Sequence, residues 1–136
     1  MKLLIDEPGA DEASVIWNRA RFAVSTRLLY PEARAALGAA ARDRRFGRAR
    51  TPILRERLEA LAADVAYVEV TPALAARAGD LAEAHALRGY DAVHLSSALE
   101  IDAADAVLVT SDGRLAGAAQ ALGLTTARLP AQSSAG

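Results

Sequence analysis

The stretch that decides the fold is Ala106-Val107-Leu108-Val109-Thr110-Ser111-Asp112. Its continuous apolar run is typical of a buried strand in a parallel sheet, and polar residues end the run. A helix with apolar residues at Leu115, Ala118 and Leu122 follows directly. This order of strand, acidic turn and helix predicts one unit of an α/β fold.

The same alternation extends toward both ends of the chain. Apolar spacing predicts further short strands over 22–25, 65–70 and 124–129, and helices over 11–19, 26–45 and 90–101. Thr51-Pro52 and Thr71-Pro72 each predict the start of another helix, with a capping hydroxyl before a proline at the first helical position. Gly89 is predicted to end the helix that Thr71 opens. Strands separated by helices imply crossovers onto a parallel sheet, so we predict an α/β fold with helices on the faces of a short sheet.

Composition restricts size and location. With 136 residues, of which 52% are hydrophobic, the chain suits one domain, predicted over 1–129, and a disordered tail over 130–136. There is no cysteine, which excludes disulfides, thiolate metal sites and a Cys nucleophile. The apolar start is too short for a signal peptide and no stretch could span a bilayer, so we expect a cytoplasmic protein without membrane contact.

Three acidic residues are candidates for chemistry. Asp112 follows a predicted strand at its carboxyl end, where open parallel sheets bind ligands, but taken alone it is more often a cap of the next helix. Asp91 has the same two interpretations, and Glu32 lies on a mostly apolar helix face where it would be either solvated or paired with a cation. Gathered together, the three carboxylates could bind Mg²⁺ or Mn²⁺, which could activate water and neutralise charge on a phosphate.

Three stretches of the chain resemble the later acidic motifs of PIN-domain ribonucleases of the VapC toxin kind. The stretch Tyr90-Asp91-Ala92-Val93-His94-Leu95-Ser96-Ser97-Ala98-Leu99 is the most specific of them; the others are 25–37 and 109–115. The resemblance implies a three-layer α/β/α fold in which Glu32, Asp91 and Asp112 bind Mg²⁺ or Mn²⁺. It also implies a hydroxyl near the metal, from Thr110 or Ser111, in an endoribonuclease that pairs with an antitoxin protein and forms toxin dimers.

The chain departs from the family pattern at its amino terminus. The family starts with a strand that ends in its first metal-binding acid, whereas residues 1–9 resemble the end of the helix and the turn that follow. We therefore expect the first strand to be missing, either because the start is misassigned or because the protein is a degenerate copy. We favour a misassigned start because the three later motifs are intact. The alternative function is a catalytically inactive PIN-like module that binds antitoxin or RNA without cleavage.

Arginines crowd the predicted link between two helices. Arg42, Arg44, Arg45 and Arg48 surround Phe46, which could stack on a base. Because the net charge of the whole chain is only -1, any attraction of RNA must come from such a local patch. The same cluster could instead be a solvated helix end or a surface that binds an acidic partner protein.

Overall fold

The structure is a computed structural model, and it describes residues 1–131. The chain divides into two compact units, Met1–Tyr67 and Val68–Gly136. Across residues 1–131 there are six α-helices, one 3₁₀ helix and four strands. The predicted α/β class is confirmed. The strands form two two-stranded sheets, whereas the sequence predicted one.

The first unit begins with turns over 1–9 and continues with helices around one strand pair. Its elements are α1 (Ala10–Arg19), β1 (Ala23–Thr26), α2 (Leu29–Arg42), a 3₁₀ helix (Arg48–Arg50), α3 (Thr51–Ala63) and β2 (Val65–Val68). β1 pairs with β2. The core of this unit lies between α2 and α3 and includes Leu37, Leu54 and Leu58, with Leu4 and Ile5 from the first turns.

The predicted cap at Thr51 is wrong. The 3₁₀ helix runs directly into α3, so Thr51 already has helical dihedral angles of φ -57° and ψ -47°. A capping residue must have an extended backbone for its hydroxyl to reach the free amides of the first turn. Thr51 therefore makes no capping hydrogen bond, although Pro52 does lie at the start of the helix.

The second unit contains three helices and a parallel strand pair. Its elements are α4 (Pro72–His85), α5 (Gly89–Ala98), β3 (Val107–Thr110), α6 (Gly113–Ala121) and β4 (Thr125–Arg128). Here the capping prediction is confirmed, because Thr71 has an extended backbone and its hydroxyl accepts a hydrogen bond from the Leu74 backbone nitrogen at 3.1 Å. β3 and β4 pair in parallel with Val107 opposite Thr125.

The helix α4 ends earlier than the sequence predicted. It stops at His85, and Ala86 takes the left-handed backbone conformation, with φ 51°, that commonly ends a helix. Gly89 is instead the first residue of α5, so the prediction that Gly89 closes α4 is wrong. An alanine in this conformation carries a steric cost that a glycine would not, which is why glycine was the expected stop signal.

α5 is held against α4 by a buried serine. Ser96 is fully buried, and its hydroxyl donates to the Leu74 carbonyl oxygen at 3.0 Å. The guanidinium of Arg77 donates from Nε to Ser96 Oγ at 2.8 Å and from Nη2 to the Ser96 carbonyl at 2.7 Å. Nη2 also pairs with Glu100 at 2.8 Å. These contacts fix α5, and with it the residues at its amino terminus, relative to α4.

The strand β3 is less buried than its apolar sequence predicted. α6 packs on β3 and β4, and Leu108 joins the core formed with residues such as Leu95 and Leu115. Val107 and Val109 point to the other face and are 47% and 40% exposed. Side chains alternate between the two faces of a strand, so the residues of β3 that face α6 are more buried than Val107 and Val109.

Three predictions about the extent of the domain, the tail and the location of the protein stay expectations. The single domain over 1–129 is one of them, and the disordered tail over 130–136 is another, since residues 132–136 lie outside the part that the structure describes. Location in the cell is the third. In residues 1–131 no helix combines the length and the apolar character that crossing a bilayer requires.

Candidate functional site

Asp112 lies between β3 and α6, where the sequence placed it. It is the N-cap of α6, and its Oδ1 accepts hydrogen bonds from the backbone nitrogens of Arg114 at 2.8 Å and Leu115 at 2.9 Å. The capping interpretation is therefore confirmed. Capping does not prevent Asp112 from binding a ligand, because both capping bonds use Oδ1. The second carboxylate oxygen, Oδ2, remains for a ligand.

The turn that carries Asp112 is shaped by Thr110. The Thr110 hydroxyl oxygen accepts a hydrogen bond from the Asp112 backbone nitrogen at 3.0 Å. This local bond fixes the backbone between the strand and the helix. Thr110 and Ser111 are both half-buried. The predicted role of either hydroxyl in holding a ligand or water stays a prediction.

Asp91 lies in the first turn of α5 and is half-buried. It lines a pocket of about 260 Å³ together with Asp112, so folding brings these two predicted acids to one site. The other lining residues are Leu87, Arg88 and Arg114. The pocket therefore contains two carboxylates and two guanidinium groups, contributed by the starts of α5 and α6 and the residues around them.

The two arginines are held in place by uncharged oxygen atoms. Arg88 Nη1 donates to the Tyr90 hydroxyl at 2.8 Å, and Arg114 Nη1 donates to the Ala86 carbonyl oxygen at 2.8 Å. Both arginines are exposed. Ala86 is the left-handed residue that ends α4, so the early end of that helix supplies the carbonyl that positions Arg114.

The charges in the pocket influence one another. The pKa of Asp112 is lowered from its ordinary value, first by the hydrogen bond from the Leu115 backbone and further by the Arg114 backbone bond and the charges of Arg88 and Arg114, while partial burial opposes this. The pKa of Arg88 is raised, mainly by its hydrogen bond to Tyr90 and further by electrostatic interaction with Tyr90, Asp91 and Asp112. Asp112 is therefore a carboxylate at neutral pH.

Glu32 belongs to the first unit and lies in the first turn of α2. The residue is half-buried and its Oε1 atom is buried. Within residues 1–131, the structure contains no group of three or more His, Asp or Glu side chains placed to hold a metal ion. The structure thus brings Asp91 and Asp112 together, while the participation of Glu32 in the same site stays a prediction.

The residues of the pocket are chemically suited to magnesium. Carboxylate oxygens are the hard donors that Mg²⁺ and Mn²⁺ prefer. Mg²⁺ in particular is commonly bound by one or two carboxylates, with water and substrate phosphate completing its coordination. Asp91 and Asp112 supply such a pair on one open pocket, so the donor set fits the metal that the acidic motifs suggested.

The arginine cluster between α2 and α3 is only partly a free cationic surface. Arg42, Arg44 and Arg48 are exposed, but Arg45 pairs with Glu7 at 2.6 Å. Phe46 is only 8% exposed and belongs to the core of the first unit. The expectation that Phe46 stacks on a base is therefore wrong, because its ring is buried against apolar neighbours.

Sequence reasoning missed Arg88 and Arg114 as residues of the site. Each lies within three positions of a predicted acid, Arg88 before Asp91 and Arg114 after Asp112. Their position next to the acids could have suggested a place in the site. The direction of an exposed arginine side chain, however, depends on hydrogen-bond partners that lie far away in the sequence. Here the partner of Arg114 is Ala86, which belongs to another helix end.

Comparisons with known proteins bear on this site. Residues 1–121 match the PIN domain family. The chain is 43% identical over 132 residues to Ribonuclease VapC45 of Mycobacterium tuberculosis (strain CDC 1551 / Oshkosh), covering 97% of this chain and 90% of that protein. The same identity and coverage hold for Ribonuclease VapC49 of Mycobacterium tuberculosis (strain ATCC 25618 / H37Rv). No solved structure matches the chain.

Proposed function

Because this chain belongs to the PIN domain family, we propose that it is a metal-dependent endoribonuclease that hydrolyses phosphodiester bonds of RNA. The observation that carries the proposal is the shared pocket of Asp91 and Asp112. Two carboxylates on one pocket repel each other unless a cation or a proton offsets their charge. The similarity to two proteins named as ribonucleases supports RNA as the substrate.

In this proposal Asp91 and Asp112 hold Mg²⁺ or Mn²⁺, with Glu32 as the third acid. The bound metal would supply electrostatic stabilisation for a phosphate and favour deprotonation of a water molecule. Oδ1 of Asp112 caps α6, so Oδ2 would be the oxygen that binds the metal. Its lowered pKa keeps the carboxylate ionised, and therefore able to bind a cation, throughout the neutral range. Thr110 or Ser111 provides an auxiliary hydroxyl.

The biological context forms the second part of the proposal. We infer that the protein is the toxin of a toxin-antitoxin pair, that it acts in the cytoplasm, and that an antitoxin protein and a second toxin copy are its partners. The similarity to proteins named VapC supports this assignment. Arg42, Arg44, Arg45 and Arg48 are proposed to contact RNA, with Arg45 contributing less because it pairs with Glu7.

The decisive experiment measures RNA cleavage by the purified chain with Mg²⁺, with Mn²⁺ and with EDTA. Asp91→Asn should lower the cleavage rate by at least about 100-fold, because losing a direct ligand costs more than losing an outer partner of a metal site. Asp80→Asn is the matched control, since Asp80 is an exposed residue of α4 that does not line the pocket. It should cleave at the parental rate.

Two outcomes would contradict the proposal. Cleavage that persists in EDTA at the same rate would remove the metal from the mechanism. RNA binding without any metal-dependent cleavage would instead favour the inactive binding module as the function of this chain.

A further inference from the structure

The two guanidinium groups in the pocket have no role in the metal site described above. Arg88 and Arg114 line the pocket beside Asp91 and Asp112. If direct pairing with the two acids were their only role, the two arginines would form ion pairs with Asp91 and Asp112. In the described part of the chain their side-chain hydrogen bonds go instead to the Tyr90 hydroxyl and the Ala86 carbonyl oxygen.

These hydrogen bonds leave most of each guanidinium free to bind a ligand. A guanidinium group has five N–H donors in a planar fork, and each arginine uses Nη1 for one of the bonds just described. The donors on Nη2 and Nε stay accessible because both residues are exposed. Planar guanidinium groups bind phosphate oxygens in pairs, which makes arginine well suited to a phosphodiester backbone.

The acids in the pocket create a need for such groups. A phosphodiester is negatively charged, so two carboxylates repel it. This repulsion disfavours binding when no metal is bound. Arg88 and Arg114 lie at the same pocket and offset that charge. The hydrogen bond from Arg114 to the Ala86 carbonyl ties its side chain to the end of α4 rather than leaving it to move freely in solvent.

We propose that Arg88 and Arg114 are substrate-binding residues that contact backbone phosphates of RNA on either side of the bond at the acidic pocket. This inference rests on the proposed function and adds to it the groups that recognise the substrate at the site. Phosphate contacts carry no sequence information, so these two residues position any RNA strand and leave sequence preference to other parts of the protein.

The test is the binding of a fluorescent single-stranded oligoribonucleotide to the full chain in EDTA, measured by anisotropy at several salt concentrations. Arg88→Gln and Arg114→Gln should each weaken binding roughly tenfold at low salt, because a charge-assisted hydrogen bond is lost. Each substitution should also reduce the magnitude of the slope of log affinity against log salt concentration by about 0.7. That is the contribution of one phosphate contact on a single strand.

Two further sets of variants separate this role from a structural one. Arg88→Lys and Arg114→Lys keep the positive charge, so they should keep the parental salt dependence while losing part of the affinity. Arg55→Gln removes a charge from an exposed position of α3 that does not line the pocket, and it should bind like the parent. Circular dichroism of each variant checks that the fold is retained.

The outcomes distinguish this inference from the proposed nuclease activity. Gln variants with parental affinity and salt dependence would overturn the inference, even if the parent cleaves RNA with Mg²⁺. Loss of binding to a polyglutamate peptide, but not to RNA, would overturn it in favour of a carboxylate-binding surface. If the parent never cleaves RNA but its binding depends on both arginines as described, the nuclease proposal fails and the inference stands.

Discussion

Oδ1 of Asp112 lies 2.8 Å from the backbone nitrogen of Arg114, so the same aspartate that lines the acidic pocket also starts the helix α6. The side chain of Arg114 returns to the pocket from that first turn. Structure and chemistry are therefore coupled at this position, and a substitution of Asp112 must be chosen so that the two effects can be separated.

Asp112→Asn should separate the effect on helix capping from the effect on RNA cleavage. Asparagine caps helices about as well as aspartate, so the free energy of unfolding should stay within about 0.5 kcal/mol of the parent. The loss of the negative charge should lower RNA cleavage by at least about 100-fold, as for Asp91→Asn. Urea denaturation and the cleavage assay measure the two effects. An asparagine variant that cleaves normally would show that the Asp112 charge is dispensable.

Asp112→Ala should lower both the stability of the fold and the rate of RNA cleavage. Alanine cannot accept the hydrogen bonds from Arg114 and Leu115, and losing a cap of this kind costs about 1 kcal/mol. The same urea titration should therefore give a lower free energy of unfolding for the alanine variant than for the asparagine variant. Equal stability of the two would contradict the capping role.

The stability that Asp112 provides should depend on pH in a defined direction. Because folding lowers the pKa of Asp112, the unfolded chain takes up its proton first as the pH falls. The stability that ionised Asp112 contributes is fully present above the ordinary aspartate pKa of about 3.9. It is lost as the pH falls through the lower pKa that Asp112 has in the folded protein. The stability gap between the parent and Asp112→Ala should be constant from pH 7 to about 5 and shrink below about pH 4.

The measurement is urea denaturation of both proteins in EDTA across that range. Groups other than Asp112 titrate in both proteins, and their effects cancel in the gap. A gap that changes between pH 7 and 5 would show that Asp112 does not titrate as its surroundings indicate.

The two Thr-Pro helix starts offer a matched pair. Thr71→Ala should lower the free energy of unfolding by about 1 kcal/mol, because its hydroxyl caps α4. Thr51→Ala should cost less than about 0.5 kcal/mol, since Thr51 is already inside a helix and makes no capping bond. Thermal or urea denaturation of both variants checks the difference. Equal losses would argue against the 3₁₀ helix that precedes α3.

The two buried serines of α5 offer a second pair. Ser96→Ala should cost about 1–2 kcal/mol, because it removes the bond to the Leu74 carbonyl and leaves Arg77 Nε without its acceptor. Ser97→Ala should change stability by about 0.5 kcal/mol or less, because the Ser97 hydroxyl only donates to the Val93 carbonyl within its own helix. A larger loss for Ser97→Ala in urea denaturation would contradict this comparison.

Local signals in the sequence determined the elements and the acids at their ends. Apolar periodicity, together with the Thr-Pro signals at Thr51 and Thr71, indicated all six α-helices and four strands of the described residues, with errors at boundaries such as Gly89 and Thr51. Asp112 could be assigned to the end of β3 and the start of α6 because both signals, an apolar run and a capping residue, lie in neighbouring residues. Such short-range effects depend only on neighbouring residues, so the local sequence is enough to predict them.

Contacts between distant residues were decided only by the tertiary structure. The sequence could not show that α4 ends at His85, that the carbonyl of the following Ala86 holds Arg114, or that Arg88 and Arg114 join Asp91 and Asp112 in one pocket. It also could not show that Phe46 is buried while Val107 is exposed. The burial and direction of a side chain depend on which elements pack beside it, and residue spacing along the chain does not contain that information.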